Sequence, residues 1–264
     1  MTFVLGLAQC RHPEEGGTEA VLEMAEQWCA EASLRGVDIL VFPESLMTRY
    51  ELDKRSFASE AESIDGPFCC GMNALAARYN LWLVYTVNER NDEGNPFNTA
   101  VIAGSDGAKH GVYRKVHLFD TDFTKESDRM AAGPALFEPI DTPFGRIGLS
   151  ICYDLRFPEV ARFAATHGCQ LLINPAAWVD GRLKAEQWRT LLSARAIENE
   201  IFVAGLSRVD KGYIGQSAVF GPDGVMLASG SVREELVAAR IDLSAIDGVR
   251  AAMPVLEHRR LELY

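Results

Sequence analysis

The sequence predicts a single α/β domain over residues 1–264, built on sheet covered by helices on both faces. Three observations predict it. Strand-like and helix-like patterns alternate along much of the chain. Several strand-like runs are apolar on both faces, as in strands of a sheet covered on both sides. No stretch rich in Pro, Ser or Gly separates the chain into independent halves.

The elements follow in order. TFVLGLAQ reads as the first strand. Ala20, Val21, Met24, Ala25, Trp28 and Ala32 then recur at three- and four-residue spacing, a helix whose N-cap falls to Thr18. VDILVFPE is the next strand, and a helix from Pro67 to Tyr79 starts on a proline that suits a first turn. LWLVYTVNE and NTAVIAGSDG are strands, and HGVYRKVHLFD is strand-like around its charged residues. Residues 118–139 form a long charged loop, of a length that is commonly functional inside a compact domain. GRIGLSICYD is a strand, with a short helix over residues 158–167 and Pro158 at its first turn. After the strand CQLLINP comes a helix over Lys184–Asn199, with Trp188, Leu191, Leu192 and Arg195 or Ala196 turned inward. IFVAGLSR, QSAVFGPDG, VMLASG and LVAARIDL complete the sheet content.

Composition narrows the function classes. With 26 basic against 37 acidic residues and a net charge of −11, the chain lacks the basic stripe that nucleic-acid binding requires. No apolar run reaches the roughly 18–20 residues of a membrane span, and MTFVLGLAQC lacks the basic start and length of a secretory signal. The expected location is the cytoplasm. Six cysteines form no CxxC pair and no zinc-ligand spacing, so neither a metal nor a disulfide framework is expected. Cys10, Cys29 and Cys169 read as inert core thiols.

Cys152 is different, because it stands where a strand gives way to a charged turn. Ligand sites of α/β sheets gather at such strand ends. Glu44 closes VDILVFPE, Lys115 interrupts HGVYRKVHLFD, and Cys152 ends GRIGLSIC. An acid, an ammonium and a thiol form a workable hydrolytic set: a general base, a group that lowers the thiol pKa and stabilises an oxyanion, and a nucleophile. The backbone N–H of Tyr153 is a second oxyanion donor. Two other readings use the same stretch. His117, in period-two register with Lys115, would make a Cys–His pair, and GLSIC at 148–152 nearly spells the GxSxG of serine hydrolases. An idle interaction domain that keeps the fold is the reading from another class.

FPES at 42–45, YRKVHLFD at 113–120 and GLSICYDLRFPE at 148–159 together resemble the nitrilase superfamily of carbon–nitrogen hydrolases. The resemblance runs from GLAQ to the closing PVLEHRRLELY. It implies a four-layer α-β-β-α sandwich, a homodimer or higher homo-oligomer, and no metal or organic cofactor. By position it assigns Glu44 as base, Lys115 as oxyanion lysine, Cys152 as nucleophile and Glu126 as a second glutamate orienting the lysine. NPAAW at 174–178 resembles the substrate-pocket segment, which brings in Ala177 and Trp178; Tyr50 is expected on the near wall. RKVHLFD and CYDLRFPE look most like the ω-amidase and deaminated-glutathione-amidase branches, and Tyr153-Asp154 does not match the CWE-like run of true nitrilases. The implied substrate is a small ω-amido acid, with N-carbamoyl amino acids and deaminated glutathione as alternatives. Arg156, four residues past Cys152, is expected either to grip a substrate carboxylate or to pair with Asp154 or Glu159.

Overall fold

The computed structural model describes residues 1–48 and 56–263. Its first half runs β1 (Thr2–Gln9), α1 (Gly17–Leu34), β2 (Ile39–Val41), α2 (Ser56–Glu60), α3 (Pro67–Tyr79), β3 (Trp82–Glu89), β4 (Phe97–Ala103) and β5 (Lys109–Arg114). Its second half runs β6 (Ile140–Thr142), β7 (Gly145–Leu149), α4 (Pro158–Thr166), β8 (Leu171–Ala176), α5 (Lys184–Asn199), β9 (Phe202–Ser207), β10 (Ala218–Phe220), β11 (Met226–Ser229), β12 (Glu235–Asp242) and α6 (Ser244–Ala252).

Two six-stranded sheets result, ordered β12-β1-β2-β3-β4-β5 and β11-β10-β9-β8-β7-β6. In each, three neighbouring strands are parallel: β1, β2 and β3 in one, β7, β8 and β9 in the other. β12 leaves the second half and pairs antiparallel with β1 from Thr2↔Asp242 to Gln9↔Glu235, tying the chain's ends into one sheet.

The apolar-throughout strands are explained by what lies on each face. In β2 and β3, Ile39, Val41, Trp82 and Val84 join one core with Ile147, Leu149, Leu171 and Ile173 of the other sheet. The alternate residues Leu40, Leu83 and Tyr85 pack on Val21, Ala25 and Cys29 of α1 and Phe68 and Met72 of α3. Period-two side-chain direction thus feeds two cores from one strand. With α4 and α5 covering the second sheet, the layers are helix, sheet, sheet, helix.

Several elements depart from the sequence expectation. α1 begins at Gly17, ahead of Thr18, behind a left-handed Gly16, with no side-chain cap. β2 stops at Val41, so Phe42, Pro43 and Glu44 leave the sheet as a loop. β5 ends at Arg114, and Lys115 stands just past it. α2 and β6 are too short to announce themselves in the sequence, and the sequence reading misses α6, over Ser244–Ala252. In α4, Val160, Ala161, Ala164 and Ala165 are all covered by the chain itself, so its apolar character does not by itself demand a partner. Among the described residues no helix is long and apolar enough to cross a membrane.

α5 fixes the turn that follows Cys152. Both Arg195 and Ala196 face inward, and the Arg195 guanidinium donates from Nε (3.1 Å) and Nη2 (2.9 Å) to the Leu155 carbonyl. Arg195→Met keeps the alkyl volume and strips that buried carbonyl of its donors. It should cost about 1–3 kcal/mol by urea denaturation; an unchanged midpoint and slope would show that the contact does not hold α5 to the turn.

Candidate active site

Cys152 opens a 3-10 turn, Cys152–Arg156, three residues beyond the end of β7. Its φ of 45° is left-handed, a conformation that costs a non-glycine residue about 1–2 kcal/mol. The surroundings hold it there. Ser150 N–H continues the β7–β8 ladder to the Ile173 carbonyl (3.0 Å), and Asn174 Nδ2 donates to Ser150 Oγ (2.8 Å). Fully buried Asp154 accepts from Ile151 N–H (2.9 Å) and Tyr113 OH (2.7 Å) through one oxygen, and from His117 N–H (3.1 Å) through the other. Asp154 therefore ties the cysteine turn to the chain on both sides of Lys115.

The acid and ammonium reach the thiol from other elements. Past β2, Pro43 C=O accepts from Thr86 Oγ1 (2.9 Å), and Thr86 Oγ1 in turn accepts from Leu46 N–H (3.1 Å), which clamps the loop around Glu44. Lys115 Nζ, 2% exposed, donates to Glu44 Oε1 (2.9 Å) and to both oxygens of Glu126 (3.0 and 2.8 Å). Gly133 packs so closely on the Arg114 carbonyl that a Cβ there would lie 2.2 Å from its oxygen. Its N–H donates to the Lys115 carbonyl (2.8 Å), fixing the lysine backbone. Glu126 sits in a 3-10 turn inside the long loop and also accepts from Phe119 N–H (2.6 Å). Glu44 Oε2 accepts from Ala177 N–H (2.8 Å) at the end of β8, so the carboxylate bridges the two sheets.

Asn98, at the start of β4, donates to Glu44 Oε1 (2.8 Å) and more weakly to Glu126 Oε1 (3.4 Å). Sequence reasoning missed it, since a polar residue at a strand's edge carries no distinguishing spacing.

The electrostatics correct one expectation. A neighbouring cation was expected to depress the Cys152 pKa, yet burial, followed by the Glu44 charge, holds it well above the ordinary cysteine value, and Lys115 only partly offsets them. Burial pushes Glu44 upward as well, but the Lys115 charge and hydrogen bond, the Ala177 N–H and the Cys152 thiol outweigh it and leave the carboxyl below its usual value. Burial disfavours the Lys115 ammonium, and Glu126 and Glu44 together reverse that and raise its pKa well above normal. At rest, therefore, the thiol is held protonated beside Glu44, and Lys115 is ion-paired with both Glu44 and Glu126.

A cleft opens over this cluster, and its free volume of about 50 Å³ is a few times the ~10–15 Å³ that holds one water. Glu44, Lys115, Glu126 and Cys152 line its inner end, with Tyr153, Ala177 and Trp178 on the walls. Arg156 lies over the Trp178 ring at 4.8 Å and donates to Gln187 Oε1 (2.9 Å). Among the described residues it pairs with neither Asp154 nor Glu159, because Asp154 is committed to the donors above. Phe119, Thr124 and Lys184 also line the cleft and were not anticipated. Tyr50 lies outside the described residues.

His117 is drawn away. Its Nδ1 bonds Asp154 Oδ1 (2.8 Å) and its ring stacks on Phe157 at 3.6 Å, because the chain leaves strand geometry after Arg114. It does not line the cleft. Burial pushes the Cys10, Cys29 and Cys169 thiols up to about 12, in keeping with inert core residues. Among the described residues, no group of three or more His, Cys, Asp or Glu side chains is arranged to hold a metal ion.

This fold and site define a class, and comparison with known proteins agrees. The carbon–nitrogen hydrolase family profile matches residues 5–251. The chain belongs to that family, and it is a nitrilase-family amidase, a hydrolase of carbon–nitrogen bonds other than peptide bonds. It is 35% identical to the human omega-amidase NIT2 over 89% of this chain and 87% of that protein. It is 33% identical to the deaminated glutathione amidase of Escherichia coli O157:H7 over 90% of each. A nitrilase and fragile histidine triad fusion protein of Caenorhabditis elegans matches at 34% identity over 98% of this chain, which spans 61% of that longer protein. The crystal structure of a carbon–nitrogen hydrolase from Helicobacter pylori superposes with a TM-score of 0.93 at 28% identity, over 100% of this chain and 97% of that one.

A thiol held protonated has a measurable consequence. Alkylation of Cys152 by iodoacetamide in the resting protein should show no inflection near the ordinary cysteine pKa of about 8.5. Peptide mass spectrometry across that range, with exposed Cys70 as internal control, checks it; an inflection at Cys152 below about pH 9 would mean that Lys115 dominates instead.

Proposed function

We propose that this amidase hydrolyses the terminal amide of small ω-amido (di)carboxylic acids, releasing ammonia through a Cys152 thioester. The observation that carries the proposal is the cleft's polarity. Its fully buried lining sets two acids, Glu44 and Glu126, around Lys115, while the more exposed lining adds the cations Arg156 and Lys184. A substrate carboxylate is repelled from the thiol and attracted to the cations, which leaves the uncharged amide to meet Cys152. The name of the human relative, an omega-amidase, supports the same substrate class, and that of the Escherichia coli relative supports the deaminated-glutathione alternative. We also take residues 1–264 as one catalytic domain, a reading that the β12–β1 pairing supports.

In the proposed reaction, Glu44 takes the thiol proton as Cys152 Sγ attacks the amide carbon, so that free thiolate need not accumulate at rest. The oxyanion forms against the Lys115 charge and the Tyr153 N–H. Lys115 has three N–H bonds, and Glu44 and Glu126 accept all three at rest, so Glu126 fixes the ammonium while the developing oxyanion competes for a donor. Glu44 returns the proton to the departing nitrogen, and ammonia leaves a thioester. Water attacks next, Glu44 taking one of its protons; the C–S bond breaks, Glu44 returns that proton to the thiol, and the product acid gives its own proton to solvent. The new carboxylate then faces Glu44, and like-charge repulsion favours its release.

Ammonia release from a panel of succinamate, glutaramate, N-carbamoyl amino acids and neutral amides tests the substrate class. Cys152→Ala should abolish turnover, and Glu44→Gln and Lys115→Ala should each lower kcat by orders of magnitude, as for groups acting on the transition state. His117→Ala should cost far less; the reverse ranking would favour a Cys–His pair.

Arg156→Met should lose about 10- to 150-fold in kcat/KM on succinamate, the equivalent of one charge-assisted hydrogen bond at roughly 1.5–3 kcal/mol. The loss on a neutral amide should be much smaller, and equal losses would make Arg156 a support of the turn.

A homodimer in the cytoplasm completes the proposal; six free cysteines suit a reducing compartment. Light scattering at micromolar concentration should give at least twice the chain mass, and a monomeric mass would refute the pairing.

A further inference from the structure

We propose that Lys184 is a specificity-determining residue, sharing the substrate's distal carboxylate with Arg156 as a two-cation clamp. This rests on the ω-amido acid reading above and names a second group that enforces it.

Lys184 is the first residue of the sixteen-residue helix α5, where the helix dipole is positive and a lysine is unfavourable. It lies in the same cleft as Arg156 and Cys152. Trp178 joins the two cations: its ring lies under Arg156, and its Nε1 donates to the Lys184 carbonyl (3.1 Å). Lys184 Nζ stands over the Phe119 ring at 5.4 Å. Among the described residues it forms no ion pair, and Arg156 has only the neutral Gln187 as a side-chain hydrogen-bond acceptor. Burial, followed by the nearby Arg156 charge, lowers the lysine pKa. Three unfavourable terms therefore converge on one half-buried ammonium, in a protein with 37 acidic residues that could have supplied a partner. A carboxylate in the cleft removes the mutual repulsion and gives both cations an acceptor. A neutral amide cannot.

The test compares wild type with Lys184→Met and Lys184→Arg, measuring kcat and KM on succinamate and on a neutral amide of similar length, with succinate as competitive inhibitor. Lys184→Met should lower the preference for succinamate roughly 10-fold, mainly through KM, and weaken succinate inhibition to a similar degree. Lys184→Arg should restore most of both. Wild type preferring succinamate while Lys184→Met changes both substrates equally would overturn the Lys184 assignment and leave the ω-amido reading intact. Wild type that turns over the neutral amide as well as succinamate would overturn both.

Discussion

The structure depends on one buried charge cluster, in which the Lys115 ammonium is held between the carboxylates of Glu44 and Glu126. Each ion removed from water costs several kcal/mol, and only close mutual pairing with full hydrogen bonding offsets it. Here the partners come from the ends of β2 and β5 and from a turn in the long loop, with Ala177 N–H reaching in from the second sheet. No one of these segments can bury its charge until the others arrive. The cluster thus couples the relative placement of the two sheets to the placement of the thiol.

A second buried acid divides the work differently. Asp154 faces no cleft and accepts only structural donors, from Ile151, Tyr113 and His117. It stabilises a strained cysteine backbone and anchors the segment that carries Lys115. The same arrangement disposes of the histidine, the side chain that a sequence reader would first suspect as a base. The two acids differ in environment rather than chemistry: one lies against a thiol and an ammonium at a cleft, the other is saturated by backbone N–H groups, the Tyr113 hydroxyl and the His117 ring.

The cleft's polarity follows from the same economy. In the proposed reaction the acids Glu44 and Glu126 lie where the nitrogen leaves and a proton is carried, and Arg156 and Lys184 lie where no proton moves. Orientation of a substrate with one charged and one neutral end then needs no shape selection beyond a narrow wall. Trp178 supplies much of that wall, buried against Trp188 with ring centroids 4.9 Å apart.

The sequence by itself determined most of the strands, the short β6 excepted, and that some of them, such as β2 and β3, are buried on both faces, because side-chain direction alternates with a fixed period and those runs are largely apolar on both sides. It also marked Glu44, Lys115, Glu126 and Cys152, since their flanking motifs resemble a known family and stand in its chain order. Only the tertiary structure decided what surrounds them. Asn98 and Lys184 sit in unremarkable local contexts, and their importance comes from Glu44, 54 residues from Asn98, and from Arg156, 28 residues from Lys184. The direction of the Cys152 pKa was likewise beyond the sequence, which counts the nearby lysine but not the burial and the carboxylate that outweigh it. Local pattern fixes elements, whereas desolvation and long-range pairing depend on which elements meet.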